Sequence, residues 1–181
     1  MVYMKRGLQD KLKIDLDQKI VLLSGPRQVG KTTLAKALYP DTSEYFNMDS
    51  AEHRLLIQKQ AWRRDCDLVI FDELHKVKKW KNWIKGIYDT EGARPRLFVT
   101  GSSRLDIYRK GGDSLAGRFY SYRLHPFSVA EVKKEYAADT ALEHIMRFGG
   151  FPEPFIKGSE EGARRWRRSH ADRILREDLL D

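Results

Sequence analysis

The chain has 181 residues, a single cysteine, and 34 Lys and Arg against 26 Asp and Glu, for a formal net charge of +8. One cysteine excludes an intrachain disulfide and a cysteine zinc site, and the five histidines are scattered without an H-x-x-x-H pair. No apolar run approaches the ~20 residues needed to span a membrane, and no apolar segment follows the basic residues near Met1 as in a signal peptide. The expectation is a cytoplasmic protein with no membrane partner, whose positive charge suits an anionic one: nucleotide, nucleic acid or an acidic protein surface.

Residues 1–18 place Tyr3, Met4, Leu8, Leu12 and Leu16 at helix-like spacing among charges. This reads either as a surface helix packed on the core or as a segment in which Tyr3 and Arg6 meet a nucleotide base. Lys19-Ile20-Val21-Leu22-Leu23-Ser24 is a short apolar run of the kind that forms a buried parallel strand. It leads into Gly25-Pro26-Arg27-Gln28-Val29-Gly30-Lys31-Thr32, a G-x-x-x-x-G-K-T phosphate-binding loop. Two glycines let the backbone wrap a phosphate so that successive N–H groups point at the anion. Lys31 reaches the β- and γ-phosphates as a point charge, and the Thr32 hydroxyl is placed to ligate Mg²⁺. A helix through Thr33–Leu38 comes next, ended by Pro40, and its positive end adds to the anion site. Gln28, Val29, Gly30, Lys31, Thr32 and Thr33 make up the phosphate-binding set. An ordinary strand–turn–helix leaves Lys31-Thr32 unexplained.

Ser43–Met48 reads as a second strand, and Asp49-Ser50 as the cap of a helix containing His53, Leu55, Leu56 and Ile57. Asp49 lies at a strand's C-terminal end, where open parallel sheets bind ligands. It reads as an N-cap in preference to a contact with the Mg²⁺ shell or a neighbouring subunit. Leu68-Val69-Ile70-Phe71-Asp72-Glu73 is a buried strand with two carboxylates at its end. Asp72 would hold Mg²⁺ through water, and Glu73 would take a proton from the attacking water. The lysines of Leu74–Lys81 face either solvent or nucleic-acid phosphates. Trp80, Trp83, Ile84, Ile87 and Tyr88 fall on one face of an amphipathic helix and read as core.

Arg96–Thr100 is a further strand ending in Thr100-Gly101-Ser102-Ser103. Placed between the loop strand and the Asp-Glu strand, as in the ATPase class with an added central strand, its polar tip faces the γ-phosphate. Ser102 is the first choice as sensor and Thr100 the second, with a helix cap as the alternative. Lys110-Gly111-Gly112 marks an expected mobile loop within 106–113. Arg118 precedes a last strand through Phe119–Leu124 and is either a γ-phosphate finger, in its own chain or across an interface, or part of a structural salt bridge. Ser128 and Glu131 form a capping box. From Thr140 the pattern is helical, broken at Phe148–Pro152. A charged helix over 160–180 carries Ala163, Trp166, Ile174, Leu175 and Leu179 on one side. Arg164, Arg165, Arg167 and Arg168 read as a DNA contact, a solvated face or a surface for further sequence, which is expected beyond Asp181.

Six motifs together resemble one family: GPRQVGKTT at 25–33, FDELH at 71–75, TGSS at 100–103, SLAGR at 114–118, HPFS at 125–128 and GGFPE at 149–153. Their order and spacing are similar to those of prokaryotic AAA+-like P-loop ATPases that carry a C-terminal domain of unknown function. The resemblance implies ATP and Mg²⁺, an α/β three-layer fold with a parallel five-stranded sheet ordered 5-1-4-3-2, and a functional Arg118. Members of that family continue for about as long again. The expected organisation is therefore an ATPase core over 1–136 and a helical extension over 137–181, cut before a missing domain. The expected function is Mg²⁺-dependent ATP hydrolysis, with catalytic roles for Glu73, Ser102 and Arg118, and a second copy of the chain as a partner. The alternative is a nucleotide-gated switch on DNA or protein with little hydrolysis of its own. A small-molecule kinase fits less well, because Glu73 and the TGSS tip suit attack by water.

Overall fold

Five short runs rich in apolar and aromatic residues form one parallel sheet in a computed structural model of the chain, which describes residues 3–92, 94–102 and 115–174. The strands are β1 (Ile20–Ser24), β2 (Ser43–Asn47), β3 (Leu68–Asp72), β4 (Arg96–Thr100) and β5 (Phe119–Arg123). Their order is β2-β3-β4-β1-β5, the expected 5-1-4-3-2 read from the other edge. All neighbours are parallel. The three inner strands are buried at every residue and the two edge strands only in part. A parallel sheet needs both faces covered, which is why β1, β3 and β4 read as continuous apolar runs instead of alternating ones.

Helices α1 (Gln9–Leu16), α2 (Lys31–Leu38), α3 (Ala51–Gln58) and α4 (Trp80–Glu91) supply those covers. One face gathers Leu22, Val69, Phe71, Leu97 and Val99 with Ile57, Trp62, Trp80, Ile84 and Ile87. Phe71 sits between Trp62 and Trp83, with ring centroids 5.6 and 5.3 Å away. The aromatics of α4 are thus core, as their spacing implied. Side chains alternate across a strand, so Leu23, Ile70, Asp72, Phe98 and Thr100 point to the opposite face. There α1 and α2 bury Leu12, Leu16, Leu34 and Leu38.

The chain divides into two compact units, Met1–Leu124 and His125–Asp181. The expected boundary after residue 136 lies inside the second unit, between α5 (Val129–Val132) and α6 (Ala138–Phe148). That unit continues with α7 (Pro152–Lys157) and α8 (Glu160–Arg173). The capping box of α5 forms, with both the Ser128 and the Glu131 bonds present. Phe127, His144, Phe148 and Phe155 pack ring against ring. Gly150 lets the chain close: a Cβ there would lie 2.6 Å from the Phe127 carbonyl oxygen, whose residue donates its N–H to the Gly150 carbonyl at 2.7 Å. Ser103, Ser114, the expected loop at 106–113 and the last residues of the charged helix lie outside the described residues.

Phe71→Ala would open a cavity between two tryptophans. It should cost about 3–5 kcal/mol of stability. A urea titration followed by tryptophan fluorescence checks this, and a loss under about 1 kcal/mol would contradict the packing described.

Candidate functional site

The C-terminal ends of β1, β3 and β4 carry the predicted residues other than Arg118. At the exit of β1, Gly25 has φ of 149°, and a Cβ on it would sit 2.4 Å from the Leu124 carbonyl oxygen. Only glycine lets the loop pass so close to the end of β5. Gly30, at φ 96°, is the residue from which α2 starts, and Gln28 also takes a positive φ of 63°. Val29 is buried, while Gln28 and Thr33 are exposed. Arg6, 4% exposed, donates to the Val29 carbonyl at 3.0 Å. It braces the loop backbone, and the reading of Arg6 as a base contact gives way to that. Tyr3 donates to Gln9 at 2.8 Å. Lys31 is buried, and its Nζ donates to the carbonyls of Gly25 and Pro26, each at 2.9 Å. The ammonium thus lies across the mouth of its own loop.

Asp72 is the hub. Its Oδ2 accepts the Thr32 hydroxyl at 2.8 Å and the Tyr45 phenol at 2.7 Å, and its Oδ1 accepts the Thr100 hydroxyl. The expected Thr32–Asp72 pair is therefore in contact. Thr100, the second choice for the strand tip, joins the cluster directly. Ser102, the first choice, is buried two residues beyond it. A carboxylate ringed by hydroxyls is an all-oxygen donor set, the kind that hard cations such as Mg²⁺ take. Tyr45 had no local signal in the sequence. It reaches Asp72 only because β2 lies beside β3, with Tyr45 level with Ile70 and Asn47 level with Asp72.

Glu73 comes next in left-handed backbone, φ 60° and ψ 29°, with its N–H on the Thr100 carbonyl at 2.9 Å. Such a conformation costs a non-glycine residue of order 1–3 kcal/mol and collects at functional sites. Its carboxylate lies 3.6 Å from His75 Nε2. Burial pushes the Glu73 carboxyl up from its ordinary value, and the charge of Asp72 adds to this; Lys76 and Lys31 oppose it. His75, the last residue of the FDELH motif, to which the sequence assigns no role, is thus a neighbour of the expected base. Asp49 is not the helix cap. Ser50 accepts the His53 N–H instead, and Asp49 pairs with Lys76 at 2.5 Å.

Arg118 stands apart. β5 is parallel to β1 with Phe119 beside Ile20, so Arg118 lies at the N-terminal edge of the sheet while the loop lies at the C-terminal edge. Five residues of strand span roughly 16 Å. Arg118 donates to Asp89 at 2.7 and 3.3 Å and to the Ala116 carbonyl at 3.3 Å. In its own chain it forms the salt bridge and does not join the Asp72 cluster. In the second unit, Arg164, Arg165, Arg167 and Arg168 are exposed along α8. Among the described residues no helix is long and apolar enough to cross a membrane, and no group of three His, Cys, Asp or Glu could hold a metal ion.

A family model described as AAA domain matches residues 17–133. Two curated mycobacterial proteins, "Uncharacterized protein Rv2008c" of Mycobacterium tuberculosis and "Uncharacterized protein Mb2031c" of Mycobacterium bovis, are each 28% identical over 163 residues, covering 88% of this chain and 36% of theirs. The chain therefore spans about a third of the length of the curated relatives it matches. Among solved structures, a signal transduction ATPase with numerous domains and a tetratricopeptide repeat sensor, from Pyrococcus horikoshii, superposes with a TM-score of 0.55 at 14% identity, over 84% of this chain and 29% of that one. The closed state of Hsp104 with ATPγS and casein gives 0.55 at 13% identity, over 100% of this chain and 41% of that one. At such identities the likeness is one of fold.

The raised Glu73 carboxyl has a consequence for stability. Its neutral form is favoured in the folded chain, so its ionisation costs stability as the pH climbs past the ordinary carboxylate value of about 4.3 and through the raised one. Glu73→Gln removes that cost. The melting temperature of the variant should therefore gain on the parent as pH rises from about 4 to about 7. A constant or narrowing difference would contradict the burial of Glu73.

Proposed function

The chain belongs to the AAA-domain family of AAA+-like P-loop ATPases, and from that premise we propose that it binds ATP with Mg²⁺ and hydrolyses the terminal phosphate. One observation carries the reading: the Thr32 hydroxyl and the Asp72 carboxylate, 40 residues apart in sequence, meet at 2.8 Å beside the loop lysine. The N–H groups of Gln28 to Thr33 and the Lys31 ammonium bind the phosphates, and Lys31 exchanges two loop carbonyls for phosphate oxygens as it does so. Thr32 and Asp72 would hold Mg²⁺, which supplies neutralisation of the phosphate charge. Glu73 accepts the proton of the water whose oxygen attacks the γ-phosphorus, as the bond to the bridging oxygen of ADP breaks. Thr100 and Ser102 sit at the tip that meets the γ-phosphate. Arg118 serves the nucleotide of a neighbouring copy, where such a residue contributes roughly 10³–10⁵ in rate.

A second reading is a nucleotide-gated switch with little hydrolysis of its own, acting on DNA or protein. The contact of Glu73 with His75, 3.6 Å away, favours it, because a carboxylate directed at a side chain is not directed at water.

Phosphate release with Mg²⁺, measured across protein concentrations for the parent and Glu73→Gln, separates the two. The hydrolase reading expects turnover that rises with concentration and falls about 10²–10⁴-fold in the variant, while ATP still binds. Turnover unchanged in Glu73→Gln removes Glu73 as the base. Tight ATP binding by the parent without turnover supports the switch.

A further inference from the structure

Tyr45 has no part in the phosphate-loop chemistry, yet its phenol is bonded to the carboxylate at the centre of the site. A carboxylate offers about four lone-pair positions for hydrogen bonds or ligands. Among the described residues three are taken at Asp72: Thr32 and Tyr45 on Oδ2 and Thr100 on Oδ1. Oδ2 is filled by two donors, and Oδ1 keeps one open position. Such a carboxylate can accept one metal-bound water or one direct metal bond. It cannot chelate an ion through both oxygens without losing a hydroxyl.

That distinction separates two cations. Mg²⁺ retains its waters and is held by few carboxylate contacts in strict octahedral geometry, whereas Ca²⁺ readily takes a carboxylate in bidentate fashion. Tyr45 is also well held. Its ring comes from the edge strand β2, and the Lys36 ammonium of α2 lies 3.8 Å from the ring centroid. Its hydroxyl donates to Asp72 Oδ2 at 2.7 Å. The three hydroxyls come from α2, β2 and β4, and they fix the Asp72 carboxyl plane from three sides.

We propose that Tyr45 is a positioning residue that confines Asp72 to a single open ligand position and thereby makes the nucleotide site discriminate Mg²⁺ from Ca²⁺. The proposal rests on the nucleotide-binding reading above. Removing the phenol oxygen would free a second position on Oδ2 and loosen the carboxyl plane. Outer partners of metal ligands typically contribute 10–100-fold to metal affinity.

The test uses the whole chain and a fluorescent ATP analogue. Its dissociation constant is measured in EDTA, in Mg²⁺ and in Ca²⁺, for the parent and for Tyr45→Phe. The ratio of the EDTA value to each cation value gives the coupling of that cation to nucleotide. Tyr45→Phe keeps the ring and the Lys36 contact. The expected result is a loss of about 10-fold in the Mg²⁺ coupling, with the Ca²⁺ coupling held or increased and the EDTA value unchanged. Tyr45→Leu, which also removes the ring, should show the same selective loss if it folds. Equal falls in both couplings, or a fall in the EDTA affinity alone, would make Tyr45 a packing residue and overturn the proposal. Unchanged couplings in Tyr45→Phe would overturn it too while leaving the nucleotide site intact. A parent with no Mg²⁺ coupling at all would overturn the nucleotide reading and this proposal with it.

Discussion

A negative charge that is largely withdrawn from water must be satisfied by donors, and the Asp72 carboxylate meets that requirement with hydroxyls from three other elements. Thr32 belongs to α2, Tyr45 to β2 and Thr100 to β4. One side chain at the end of β3 therefore ties the first turn after the phosphate loop, an edge strand and the central strand to a common point. Those bonds are charge-assisted and so stronger than neutral ones. The same group that fixes the geometry is the one that would face the cation. Fold and chemistry at this edge of the sheet share a single constraint.

The loop beside it is held by contacts within the chain. Gly25 passes against the Leu124 carbonyl, Arg6 holds the Val29 carbonyl, and Lys31 spans the carbonyls of Gly25 and Pro26. A phosphate bound by Lys31 would draw the ammonium away from these two carbonyls. Glu73 is the site's tense member. It combines left-handed backbone, burial and a neighbouring like charge. Burial and the like charge oppose an ionised carboxylate, and both would raise its basicity in the proposed proton transfer.

Much of this was legible in the sequence where the signal is local. The inner strands read as strands because burial on both faces leaves unbroken apolar runs, as in Val69-Ile70-Phe71. The α4 face and the Ser128–Glu131 box come from helical spacing alone. What escaped depends on pairs distant in the chain. Arg6 finds Val29 across 23 residues, and Tyr45 finds Asp72 across 27. Asp49 has a plausible local role as a cap, and Ser50, one residue on, takes it while Lys76 takes Asp49. Arg118 finds Asp89 across 29 residues, at the sheet edge opposite the loop. Its place just before the last parallel strand already points to that edge, but its partner Asp89 could not be read from the sequence. The unit boundary falls earlier than expected for a similar reason. Phe127 bonds Gly150, so the short helix α5 belongs with α6 and α7.

The most direct measurement of the central claim is a calorimetric titration of ATP with Mg²⁺ into the chain and into Lys31→Ala. The account predicts one nucleotide bound per chain and binding weakened at least about 10-fold in the variant, the scale on which one charge-assisted contact of about 1.5–3 kcal/mol acts. No heat of binding in the parent, or equal affinity in the two proteins, would contradict it.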